Sequence, residues 1–134
     1  MIEWRPYYKL GIEKIDNQHE FLMENINQLI EIHETTGDKN AVATVFVELI
    51  NYFVLHFEIE EMEMQDCNYS ELKRRRFEND MFCNNLERAR LDYLNGQISS
   101  LGYIIDYVKL WIIDHIIIED KKYVAELSEK YQKN

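Results

Sequence analysis

The sequence predicts an all-α fold, an up-down-up-down antiparallel four-helix bundle with an N-terminal arm. Three observations carry this. The 134 residues contain one Pro and four Gly, so chain breakers are scarce. Long runs rich in Leu, Ile, Glu, Lys and Gln repeat their apolar residues at intervals of three and four, without strand punctuation between them. The connections between these runs are short, which makes consecutive helices antiparallel neighbours. A chain of this length encloses one core, and residues 1–134 read as a single domain.

The first helix is expected from about Asp16 to Thr35, where His19, Leu22, Met23, Ile26, Leu29 and Ile30 share one face and Gly37-Asp38 ends the run. The second runs from about Asp38 to Gln65, with Val42, Phe46, Leu49, Phe53, His56, Phe57 and Glu60 on one broad stripe, and Cys67-Asn68-Tyr69 breaks it. The third starts near Ser70, a candidate N-cap, carries Leu72, Arg75, Asn79, Phe82 and Leu86 inward, and closes at Asn95-Gly96. The fourth starts near Ser99 or Ser100 and presents Leu101, Ile105, Val108, Ile112 and His115 before a charged end beyond Ile118. A short helical tail from Lys121 to Tyr131 follows. The segment Met1 to Gly11, with Trp4, Pro6 and two Tyr, is expected to lie as an ordered arm on the bundle.

Composition narrows the function. With 46% apolar and 30% charged residues the chain has the profile of a soluble globular protein. Its net charge of −10 disfavours a nucleic-acid partner, whose phosphates need a basic surface. The basic cluster Lys73 to Arg76 is short, is flanked by Glu71 and Glu78, and reads mainly as a solvated helix face. Charges and Pro6 within the first ten residues stand where the apolar region of a signal peptide would be, so a cytoplasmic protein is expected. The most apolar stretch, Leu101 to Ile118, is interrupted by Asp106, Lys109, Asp114 and His115, which suits a buried helix and not a membrane span. Cys67 and Cys83 fall too far apart along the third helix to pair, and two reduced thiols fit the same compartment. Nothing resembles a nucleophile triad, a phosphate loop or a dinucleotide fingerprint.

The polar residues that interrupt the apolar stripes are the informative ones. His19 alone is ambiguous, since a histidine near a helix end is more often capped or half-exposed than a ligand. His56 and Glu60 are four apart and stack on the inward face. A buried carboxylate costs several kcal/mol unless it is paired or bound to metal. From that pair alone, a metal site and an i,i+4 ion pair at the bundle edge are equally good readings. His115 lies deep on the fourth stripe; Asp120, five residues on, reaches inward only where the helix ends or locally distorts. Histidines and carboxylates from three helices of one bundle match the way first-row metal sites are built in bundle cores.

At these residues the chain resembles the bacterial hemerythrin family over nearly its whole length. The Trp4 arm, Leu10-Gly11-Ile12 and Ile15-Asp16-Asn17-Gln18-His19 look like that family's N-terminal pattern, whose histidine is an iron ligand. His56-Phe57-Glu58-Ile59-Glu60-Glu61 looks like its motif of ligand histidine and bridging glutamate. Trp111-Ile112-Ile113-Asp114-His115-Ile116 with Asp120 looks like its motif of ligand histidine and bridging aspartate. The third helix departs from the pattern: the family's two histidines there fall on Arg75 and Asn79, and no histidine lies between His56 and His115.

The resemblance implies a metal site of five residues, His19, His56, Glu60, His115 and Asp120, out of the family's seven ligands. His19, His56, Glu60 and Asp120 make one nearly complete iron position, and His115 is left from the other. At most one iron per chain is therefore expected unless a carboxylate such as Glu78 substitutes, and zinc suits the same donors. Arg75 on the inward stripe either supplies a fixed positive charge to Glu60 and Asp120 in place of a second iron or snorkels to the surface along its stem. The implied parent function is binding, storage or sensing of dioxygen or another small diatomic, which draws one electron from each of two ferrous ions. Two other readings remain: a metal-free or one-metal bundle serving as a structural, partner-binding or sensory module, and an iron-dependent peroxidase or nitric-oxide handler with an open coordination position.

Overall fold

The computed structural model describes residues 3–35, 38–97 and 100–132. Helices α1 (Glu13–Thr35), α2 (Lys39–Asp66), α3 (Leu72–Leu94) and α4 (Ser100–Asp114) form the bundle; a π-helical turn, His115–Asp120, joins α4 to α5 (Lys121–Gln132). α1 packs on α2 and α4, and α3 packs on the same two helices, which closes an antiparallel four-helix ring. No strand occurs among the described residues. The arm lies on the bundle as expected: a 3-10 turn at Pro6–Tyr8 brings Trp4 and buried Tyr8 against the main apolar core.

Helix ends follow local chemistry. Asp38 N-caps α2 by accepting from the Asn40 N–H at 3.0 Å. α1 begins at Glu13, three residues before the expected Asp16, because the Asp16 carboxylate reaches back to the arm. It accepts from the N–H groups of Leu10 (2.8 Å) and Gly11 (3.3 Å), and Gly11 turns there at φ +88°. Ser70 does not cap α3. Its N–H and hydroxyl both bond the Glu126 carboxylate of α5, and the cap position falls on Glu71, which makes no side-chain cap bond. Asn68 takes the left-handed conformation (φ +56°) that stops α2. Gly37 and Ser99, expected at helix boundaries, lie outside the described residues.

α2 has the length and hydropathy of a membrane-crossing helix. Its apolar residues Val42, Phe46, Leu49, Phe53 and Phe57 are buried in the bundle core, so the hydropathy is that of a central core helix. The fourth helix, expected to run to Ile118, keeps α geometry only to Asp114. The π turn that follows is what allows residues five apart to face the same way.

Candidate metal centre

Two apolar clusters divide the bundle lengthwise, and a polar layer lies between them. The larger holds Leu22, Phe53, Phe57, Phe82 and Ile112; the smaller, at the end where α5 docks, holds Ile15, Met64, Tyr69 and Tyr123. In sequence His19 falls between Ile15 and Leu22, and Arg75 and Asn79 fall between Leu72 and Phe82. Each helix thus changes from apolar to polar at the same level. His19, His56, Glu60, Arg75, Asn79, His115 and Asp120 are all buried, at 3% exposure or less.

The five residues expected to ligate metal come together. One ligand atom from each of His19, His56, Glu60, His115 and Asp120 lies within 4.8 Å of the others. His19 Nε2 is 2.7 Å from Asp120 Oδ2, His56 Nε2 is 2.8 Å from Glu60 Oε2, and His115 Nε2 is 3.1 Å from Asp120 Oδ2 and 3.5 Å from Glu60 Oε2. These same five atoms make no hydrogen bond to the described residues, although all are fully buried. Buried polar atoms without partners are costly, at about 1 to 3 kcal/mol each, and five converging ones fit the donor set of a first-row metal ion.

The opposite oxygens of the two acids are occupied. Arg75 Nη2 donates to Glu60 Oε1 at 2.7 Å and to Asp120 Oδ1 at 2.6 Å. Arg75 therefore points inward, and its alternative placement at the surface does not hold. Glu78 does not substitute for the missing histidines: it is exposed and bonds Arg74 at 3.1 Å. Asn79 Nδ2 donates to Glu61 Oε2 at 3.2 Å, at the rim of the layer. The rest of the basic cluster meets solvent or surface acids, Arg74 reaching Glu119 at 2.7 Å and Arg76 reaching Glu61 at 3.4 Å.

Electrostatics follow the geometry. Burial lowers the pKa of His19 and outweighs the attraction of Asp120, which keeps this imidazole neutral and able to ligate. Burial works against a charged His115 too, but Asp120 and Glu60 more than offset it and hold its pKa at about 9. Burial likewise opposes ionisation of Asp120, yet His115 and the close approach of Glu60 and His19 keep that carboxyl well below its usual range. Burial and Asp120 push Glu60 upward; His115 and His56 pull it back below the ordinary value.

Two residues outside the expected ligand set support the cluster. Gln18 Oε1 accepts from His56 Nδ1 at 2.7 Å, which leaves His56 Nε2 free to face the cluster. Trp111 stacks on Phe82 (centroids 3.9 Å apart, 16° between planes) and on His115 (4.6 Å, 12°), so the His115 ring is set by an aromatic column. Gln18 stands in the N-terminal motif beside His19, but its role depends on how α1 sits against α2. Trp111 carried a signal, four residues before His115 on the same stripe.

A four-helix bundle whose core converges three imidazoles and two carboxylates defines a bundle-core metal-binding protein. The comparisons narrow the class. Residues 10–127 match the Hemerythrin HHE cation binding domain. A bacteriohemerythrin from Clostridium acetobutylicum is 31% identical over 128 residues, covering 92% of this chain and 99% of the relative. One from Pseudomonas aeruginosa is 30% identical over 124 residues, covering 90% and 78%. A crystal structure of wild-type hemerythrin superposes with a TM-score of 0.81 at 24% identity, covering 93% of this chain and 96% of that one. The chain belongs to the hemerythrin family.

Proposed function

We propose that the protein holds a single iron ion at His19, His56, Glu60, His115 and Asp120, and acts as a binding or sensing centre for a small diatomic. The observation that carries this is the set of five buried ligand atoms, within 4.8 Å of one another and without hydrogen-bond partners. A bound ferrous ion supplies one electron and an exchangeable coordination position. The protein supplies the rest: α1, α2 and the π turn hold the donors, Gln18 orients His56, and the two apolar clusters exclude water from the layer. With one ion in place of two, reversible two-electron storage of dioxygen is not expected. A cytoplasmic location suits Cys67 and Cys83, which form no disulfide.

The network of Arg75 with Glu60 and Asp120 favours a second reading, a metal-free bundle used as a structural or partner-binding module. Elemental analysis of protein made in iron-rich medium separates the two. About one iron per chain supports the metal centre; none, with none taken up by the metal-free protein from added ferrous or zinc ions, overturns it. Zinc in place of iron would keep the site and change its chemistry, because raw affinity does not select against zinc.

A further inference from the structure

Glu60 and Asp120 each present their two oxygens to different surroundings. Oε2 and Oδ2 join the unpartnered cluster with the imidazoles; Oε1 and Oδ1 both end on one nitrogen, Arg75 Nη2. Two carboxylates spanning the same pair of positions is the layout of a two-cation centre, and one of the two cations here is a side chain. We infer that Arg75 is a resident cation: its guanidinium fills the second cation position permanently, so the carboxylates bridge one exchangeable divalent ion and one arginine. This rests on the reading of the cluster as a metal site.

Charge and chemistry agree with the placement. An arginine stays protonated in any accessible pH range, so its charge is not lost on burial as that of a lysine can be. Glu60 and Asp120 carry two negative charges between them; Arg75 cancels one, and the bundle can close around the layer before any metal arrives. Nη2 has two protons, and both go to the acids at 2.6 and 2.7 Å. Its 3.4 Å approach to His115 Nδ1 is therefore a contact without a proton of its own. Arg75 thus meets the acids as a bridging cation does, and contributes no ligand to the exchangeable ion.

The test compares wild type, Arg75→Gln and Arg75→Lys as full chains, each melted metal-free and with excess zinc. Metal-free Arg75→Gln is expected to melt about 10 °C or more below wild type, since two buried acids lose their shared partner. Zinc should restore most of that loss, because the ion then meets both acids, and Arg75→Lys should lose markedly less than Arg75→Gln because it keeps the charge. Native mass spectrometry should count one zinc per wild-type chain at saturation. Equal melting of metal-free Arg75→Gln and wild type overturns the inference, as does a lysine variant that falls as far as the glutamine one. If metal-free Arg75→Gln does not fold, a folded metal-free lysine variant still supports the charge role, and an unfolded one overturns it. A wild type that takes no zinc overturns the metal reading and leaves the metal-free comparison standing.

Discussion

Arg75 Nη2 lies 2.6 Å from Asp120 Oδ1, while Oδ2 of the same carboxylate turns to His19 and His115. One side chain thus divides the polar layer into a half that is already neutralised and a half that is open to an ion. The division predicts the outcome of reversing it. In Arg75→His with Asn79→His, two imidazoles four residues apart replace the guanidinium on the inward face of α3, and Glu60 and Asp120 already reach that side. The double variant is expected to bind a second metal ion per chain and, loaded with iron, to gain an oxygen-dependent visible band. A folded variant that still takes one ion would show that the second position is closed by packing and not by Arg75.

Gln18 is expected to tune the centre without touching a metal. Its Oε1 holds His56 Nδ1 at 2.7 Å, and loss of such an outer partner typically lowers metal affinity about 10- to 100-fold. Gln18→Leu, titrated with zinc against a competing chelator, should show a drop in that range, together with a metal-free stability about 1 to 3 kcal/mol lower because the buried His56 Nδ1 loses its acceptor. Unchanged affinity would mean that Phe57 and the neighbouring rings alone fix the imidazole.

His115 should be the weakest of the three imidazole donors. If its Nε2 meets a metal, Nδ1 must keep its proton, and that proton faces Arg75 Nη2 at 3.4 Å, a donor toward a donor. His56 has an acceptor at the same place. The zinc affinity of His56→Ala is therefore expected to fall about 10-fold or more below that of His115→Ala. The reverse order would mean that Arg75 moves away when the ion enters.

The inward positions were legible in the chain because helical periodicity carries them. His56 and Glu60 share a face by their spacing alone, and Arg75 falls on the stripe of Leu72, Asn79, Phe82 and Leu86. Asp120, five residues after His115, required a local distortion, and the π turn supplies it. Contacts between helices were not legible. Ser70 has the residue type of an N-cap, yet Glu126, 56 residues away, takes its donors. The choice between an inward and a snorkelling Arg75 turned on the acids it would meet, which only the packed bundle brings within reach.

The metal-free protein should be most stable slightly below neutral pH, and His115 sets the alkaline side. Its folded pKa of about 9 exceeds the unfolded value of about 6.5, because Asp120 and Glu60 outweigh its burial. A raised pKa contributes stability that is fully present below about 6.5 and is lost as pH rises through about 9, here roughly 3 kcal/mol. His19 acts with the opposite sign on the acid side. Its folded pKa is lowered, so the unfolded chain takes up its proton first and stability falls as pH drops below about 6.5. Asp120 and Glu60, both lowered, contribute stability present above about 4 to 4.5 and lost as pH falls through their depressed values. Melting temperatures of metal-free protein should therefore decline between pH 6.5 and 9, and His115→Gln should flatten that decline. A decline of the same size in His115→Gln would assign the alkaline loss to another group, and His115 would then be neutral in the folded metal-free layer.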